Sequence, residues 1–305
     1  MPDEPRTAPV QFDSVSDSRG LLKELSLRVD SGEAVGVLAH PSSVLRELSL
    51  LAAGVDFPVS GKVTTLGVLS QELSADKRSR LGYLAERNGL LRSQRLGQQV
   101  VSSARACGLS AREAFEAARK IVEELGITRH ADKYPQTVGK SERRLFALAC
   151  AMCVERDLLL LHSPARDLAP EAATVVLKKL VTLSRTGTSV LLLTEQAEVV
   201  EGICDRAVFI SGGRVVAADT PEKLCESCET DEVLIVPRGI PNTAQMGFGE
   251  HKFIRSVRRS ERGFELALEG GSANLPAGVE TMADRDVELE GVTYVRSRVS
   301  SAFNH

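Results

Sequence analysis

The chain has 305 residues, 43% of them hydrophobic and 26% charged, enough for one large domain and a smaller one with separate cores. Its formal net charge of −3 is spread over both halves, and no basic block or arginine–aromatic interleaving marks a nucleic-acid surface. The start, MPDEPRTAPVQF, lacks the parts of a secretory signal, and no apolar run approaches the roughly 20 residues needed to span a bilayer, so the expectation is a cytoplasmic protein that meets a membrane only through another chain.

From Leu21 to about Leu224, short apolar β runs alternate with longer amphipathic helical stretches, the pattern of a mostly parallel sheet covered by helices. VQFDSV and LKELSLRV read as the first strands, the second closing on the turn Asp30-Ser31-Gly32. GEAVGVL reads as a buried strand running to Leu38. After Ala39-His40-Pro41-Ser42-Ser43, VLRELSLLAAG has leucines at helical spacing and stops at Gly54. A strand, a tight loop and a helix thus follow one another.

RLGQQVVSSARACGL and SAREAFEAARKIVEELGI, between Gly89 and Tyr134, are helical and amphipathic, the second opening on the capping box Ser110-x-x-Glu113. They read as an inserted helical layer, reaching to about residue 145. SERRLFALACAMCVE follows as a helix, LLLLH as a buried strand, PEAATVVLKKLVTLSRTG as a helix, SVLLLT as a buried strand and EVVEGICD as a short helix. RAVFISGGRVVAAD is a hairpin around Gly212-Gly213. From about Cys228 helical periodicity ends, and EVLIVP, HKFIRSV, GFELALE, DVELEGV and TYVRS are short β runs between Gly, Pro and Asn. Residues 1–228 therefore read as one α/β domain and 229–305 as a small β-rich one.

Two of the spacings are CxxC, Cys150 with Cys153 and Cys225 with Cys228, a pattern compatible with zinc or a redox pair. The first pair falls in a continuous apolar helical run, where small buried thiols are the commoner reading. The second has no histidine nearby.

The order of landmarks resembles the ATP-binding subunits of ABC transporters of the ABC-2 type, such as drug, polysaccharide and gliding-motility exporters. LLKELSLRVDSGEAVGVL is similar to the family's opening strands, SGKVTTLGV to the segment after the first helix, and LGYLAERNGL to the stretch around the Q-loop. CDRAVFISGGRVVAADTPEKL resembles the last hairpin and helix, and DVELEGVTYVRSRVSSAFNH the end of an accessory C-terminal domain. The resemblance implies a P-loop NTPase-like core with antiparallel β and helical subdomains.

A phosphate-binding loop, GxxxxGK[ST], turns backbone N–H groups toward phosphates while its lysine neutralises charge and its hydroxyl binds Mg²⁺. Here the segment is AHPSSVLRE. Ala39 and Val44 hold the glycine positions, with Ser42 and Ser43 between them. Leu45 replaces the lysine, and Arg46 and Glu47 stand where the family has Ser or Thr. Pro41 removes one N–H, and Arg46 is turned about 100° along the helix from the lysine direction.

By the same resemblance, the Walker B acid and base are His162 and Ser163, and the switch histidine is Glu195. The D-loop acid is Ala169, and the Q-loop glutamine is Glu86. An imidazole is a poor ligand for Mg²⁺, and a serine cannot take the attacking water's proton. No acid partner or glycine elbow makes His162-Ser163 a nucleophile–base pair. The LSGGQ signature corresponds to Val138-Gly139-Lys140-Ser141-Glu142, and Arg19 falls near the adenine-stacking position. No intact catalytic group, cofactor site or metal site is expected, with ATP and Mg²⁺ bound only if the altered site is rescued.

The resulting expectation is a pseudo-ATPase: a structural or regulatory part of an ABC-2-type transporter, peripheral at the inner face of the membrane. Its partners would be a permease and an active ATP-binding subunit or a second copy, with Gly89–Gln99 facing the permease. A stand-alone protein-binding scaffold and an ATPase with unconventional ATP binding stay open as alternatives.

Overall fold

The computed structural model describes residues 8–226, 230–237, 252, 254–260, 263–269 and 289–295. It divides into two compact units, Met1–Thr220 and Pro221–His305, so the break precedes the helix Pro221–Glu226, ahead of the change in character read near Cys228.

In the first unit the chain opens with β1 (Val10–Ser16) and β2 (Leu25–Val29), passes through β3 (Ala34–His40) into α1 (Ser43–Ala52), and continues with β4 (Ser60–Thr65) and β5 (Val68–Leu69). A short helix α2 (Ala75–Ser79) leads into β6 (Leu81–Leu84). The helical layer is α3 (Leu96–Ala106), α4 (Ala111–Glu124) and α5 (Lys140–Met152). Then come β7 (Leu158–His162), α6 (Pro170–Arg185), β8 (Ser189–Leu193), α7 (Ala197–Ile203), β9 (Arg206–Ser211) and β10 (Arg214–Asp219).

These strands form two sheets. An antiparallel sheet has the order β2-β1-β4-β5, and a six-stranded sheet the order β10-β9-β3-β8-β7-β6. In the second, β9, β3, β8, β7 and β6 run parallel and only β10 is antiparallel. Every residue of β7 and β8 is buried, as continuous apolar runs require when both faces of a parallel sheet are covered. One hydrophobic cluster joins Val10, Phe12 and Val63 of the antiparallel sheet, Leu45, Leu48 and Leu51 of α1, and Val35, Val37 and Leu191 of the parallel sheet. Each fully buried α1 leucine contributes about 2 kcal/mol of transfer free energy.

Local signals account for the helix ends. Ser110 Oγ accepts from the Glu113 amide while the Glu113 carboxylate accepts from the Ser110 amide, the expected capping box of α4. The β9–β10 hairpin turns on Gly212 and Gly213 at φ 56° and 85°, values that favour glycine. Sequence reading did not single out β4, β5 or β6 as strands. β6 is only four residues long, and β4 begins with three exposed residues, so neither carries a periodic signal.

The second unit has α8 (Pro221–Glu226) and an antiparallel sheet of β11 (Thr230–Pro237), β12 (Ile254–Ser260), β13 (Gly263–Glu269) and β14 (Leu289–Val295), ordered β12-β13-β11-β14. Phe264, Leu266 and Leu268 alternate into its interior with Ile235. The runs DVELEGV and TYVRS, read separately, meet in the single strand β14; Asp286, Val287 and Glu288 lie outside the described residues.

Gly54 ends α1 at φ 64°, and a Cβ there would lie 1.9 Å from the Ser70 carbonyl oxygen. Gly54→Ala therefore meets both backbone strain and an obstructing carbonyl. It should lower the free energy of unfolding by about 2–3 kcal/mol, read from the denaturant midpoint at unchanged m-value.

Candidate functional site

In an open parallel sheet the functional crevice lies beyond the carboxyl ends of the strands. Here that edge collects the start of α1 and the loops after β6, β7 and β8, and so gathers the positions that the resemblance assigns to the phosphate loop, Q-loop, Walker B strand and switch.

The phosphate-loop segment is not a loop over most of its length. β3 continues to His40 with Ala39 buried and paired to Ile210, and α1 starts at Ser43 with Ser42 as its N-cap, leaving Pro41 and Ser42 to connect them. This corrects the reading that ended the strand at Leu38. The first-turn amides bond within the turn: Val44 N–H donates to the Pro41 carbonyl at 3.0 Å, Leu45 N–H to the Ser42 carbonyl at 3.1 Å and Arg46 N–H to the Ser42 carbonyl at 3.4 Å. Val44 and Leu45 are buried in the core, Leu45 with no exposed surface. Glu47 is also buried, and burial raises its carboxyl pKa against the opposing pull of Arg19.

Arg19 Nη1 lies 3.0 Å from Glu47 Oε2 and its Nη2 3.6 Å from Asp56 Oδ2, so its guanidinium is engaged by α1 and the residues after it. Arg46 extends the other way, its Nε 3.6 Å from Glu86 Oε2. Arg166, in the loop after β7, lies 3.9 Å from Glu86 and 3.2 Å from Glu195. Arg46, Glu86, Arg166 and Glu195 thus alternate in charge across the strand ends.

Beneath them His162 and Ser163 are 1% and 3% exposed, and neither His162 Nδ1 nor Ser163 Oγ has a hydrogen-bond partner. Burial first, then the cations Arg166, Arg144 and Arg46, push the imidazole pKa down to about 4. Their backbone carbonyls are taken by Arg144, a residue that sequence reading passed over. Its guanidinium donates to the carbonyls of Ala85, Glu86, His162 and Ser163 and to Asn88 Oδ1, and burial lowers its pKa to about 10. A signal was present: Arg144 shares a helical face with Leu148 and Met152, a buried stripe where a charge needs internal acceptors.

The signature positions open α5, with Gly139 as N-cap and Lys140 exposed. Glu142 Oε1 lies 4.0 Å from His130 Nε2, and a Cβ on Gly139 would sit 2.5 Å from Glu142 Oε2. The structure joins this group to His130 and not to the charged residues at the strand ends. Ala169 is the N-cap of α6. Cys150 and Cys153 are free thiols at the end of α5, their pKa values raised by burial, that of Cys150 to about 12; Cys228 lies outside the described residues. Among the described residues no three His, Cys, Asp or Glu side chains gather as a metal site.

The architecture is that of ATP-binding cassettes, a P-loop NTPase fold. A cassette solved as a dimer in a post-hydrolysis state with ADP and Pi superposes with a TM-score of 0.64 at 18% identity, covering 69% of this chain and 98% of that one. An ATP-binding subunit of an ABC transporter superposes with a TM-score of 0.65 at 22% identity, covering 71% and 92%.

No family model matches the chain. A putative ABC transporter ATP-binding protein of Methanopyrus kandleri is 31% identical over 218 residues, 71% of this chain and 80% of that protein. The Nod factor export ATP-binding protein I of Sinorhizobium fredii is 29% identical over 231 residues, 73% of this chain and 67% of the relative. The methionine import ATP-binding protein MetN of Ralstonia nicotianae is 28% identical over 204 residues, but the match spans only 57% of that protein. The chain belongs to the family of ABC transporter ATP-binding proteins.

The depressed His162 pKa has a stability consequence. The unfolded chain binds this proton near pH 6.5 and the folded chain only near 4, so stability is lost as pH falls through that window. His162→Gln should remove a pH-dependent loss on the order of 2–3 kcal/mol between pH 7 and pH 4, measured as the difference between variant and wild-type denaturation curves.

Proposed function

We propose that the chain is a catalytically silent ABC subunit, a pseudo-ATPase serving an ABC-2-type permease as a structural or regulatory component. An active ATP-binding subunit or a second copy would complete the pair. The observation that carries this reading is the first turn of α1: the amides that would cradle phosphates donate to Pro41 and Ser42, and Leu45, at the lysine position, is core.

The residues present do not suit a Mg²⁺–nucleotide. The Walker B positions offer a buried imidazole held neutral and a hydroxyl, and the adjacent main-chain oxygens are already bound by Arg144. Mg²⁺ favours carboxylate oxygens, and a base is needed to orient water; His162 and Ser163 offer no carboxylate, and Glu86 and Glu195 are paired with arginines.

Transport association is supported by the relatives, whose names describe nodulation-factor export and methionine import. The ABC-2 assignment rests on the order of landmarks in the sequence and on the export relatives. No helix among the described residues is long and apolar enough to cross a membrane, so membrane contact would come through the permease from the cytoplasmic side. Part of the segment Gly89–Gln99 lines a groove of about 690 Å³ between α3 and α4, with Gln94, Gln98, Val101, Phe115 and Val122 in its walls and Phe115 58% exposed. An apolar groove on the helical layer suits a helical segment of the permease.

Titration calorimetry with millimolar ATP and Mg²⁺ should give no binding heat, and no phosphate should be released; saturable Mg²⁺–ATP binding sinks the proposal. Leu45→Lys should not create ATP binding and should destabilise the fold by about 3 kcal/mol, because it places an ammonium in the core. Purification from native cells should co-isolate a permease, and Phe115→Glu should release it while leaving the melting temperature within a few degrees; a chain that associates with no permease counts against the transporter role.

A further inference from the structure

Four charged side chains, Arg166 half-buried and the others exposed, come from four separate segments: Arg46 from α1, Glu86 from the loop after β6, Arg166 from the loop after β7 and Glu195 from the loop after β8. They form one chain of alternating sign, with each glutamate matched by an arginine. Arg144 already joins the β6 and β7 loops through their carbonyls, and the side-chain series adds α1 and the β8 loop. In this family fold these segments meet where an external anion would bring them together, at the carboxyl edge of the sheet.

We propose that Glu86 and Glu195 act as a built-in ligand. Their carboxylates occupy Arg46 and Arg166 in place of an external polyphosphate, so the four segments hold one arrangement without nucleotide, and the two negative charges balance those of Arg46 and Arg166 and leave neither free for an anion. This rests on the reading that the site has lost Mg²⁺–nucleotide binding, and it names what replaced the ligand. Of the three arginines near His162, Arg46 faces Glu86, Arg166 faces Glu86 and Glu195, and Arg144 is engaged by backbone carbonyls.

The variant Glu86→Gln/Glu195→Gln keeps the shape of both side chains and removes their charge. Amide hydrogen exchange should accelerate roughly fivefold in peptides covering the loops after β6, β7 and β8. Inorganic tripolyphosphate, which gives no heat with the wild type at low salt, should bind the variant in calorimetry, with affinity falling steeply as salt is added.

The control Glu24→Gln/Glu116→Gln makes the same change in net charge at exposed ion pairs elsewhere and should do neither. Arg166→Gln, which breaks the series without freeing positive charge, should accelerate exchange in the same loops without gaining tripolyphosphate. If the double glutamine variant lacks either effect, or the control shows both, the built-in ligand is overturned while the silent-subunit reading stands. A wild type that binds Mg²⁺–ATP overturns both.

Discussion

A guanidinium shielded from water must find acceptors inside the protein, and the whole strand-end region is organised around the ones Arg144 finds. Burial takes a charge from a high-dielectric medium to a low one, a cost of several kcal/mol unless hydrogen bonds replace hydration. Arg144 meets most of that demand through its two terminal nitrogens, with carbonyls of the loops after β6 and β7 and the Asn88 amide oxygen, while its buried Nε has no partner. Because it projects from α5, it fixes the helical layer to both loops at once. Two of the carbonyls it uses belong to His162 and Ser163, the residues that the resemblance sets at the Walker B positions.

That arrangement settles the local chemistry. A cation beside the end of β7 disfavours a second one, which is part of why the His162 imidazole stays neutral, and it adds to the field that Glu86 and Asp167 offset. Glu86 and Glu195, in the loops after β6 and β8, are the carboxylates paired at this edge. Acid–base chemistry on water needs a free base beside the reacting oxygen, and these two are engaged with arginines.

The residues at the start of α1 have the same character. Leu45, which the resemblance sets at the lysine position, carries no charge and packs in the core with Leu48 and Leu51. Ala39 and Val44, which the resemblance sets at the glycine positions, lack the backbone freedom a phosphate nest needs, and the amides of Val44, Leu45 and Arg46 donate to the carbonyls of Pro41 and Ser42. The fold retains strand, turn and helix because those depend on burial and hydrogen bonding, which ordinary side chains supply as well as the family's usual ones.

Much of this was legible in the residues. LLLLH and SVLLL announce buried parallel strands because nothing polar interrupts them, Ser110 and Glu113 announce a helix start by reciprocal hydrogen bonding, and the identities of Leu45, His162, Ser163 and Glu195 follow from position alone. β4 and β6 were hidden, being too short or too exposed to carry a period. The pairings of Arg19 with Glu47, of Arg46 with Glu86 and of Arg166 with Glu195 were also out of reach. Each joins segments far apart in the chain, and the partners meet only because parallel strands deliver their loops to one edge. Local pattern and residue identity were enough for the buried strands, the capped helices and the kinds of side chain at each motif position; only the fold decides which charges neutralise one another, since Coulomb attraction depends on distances that folding creates.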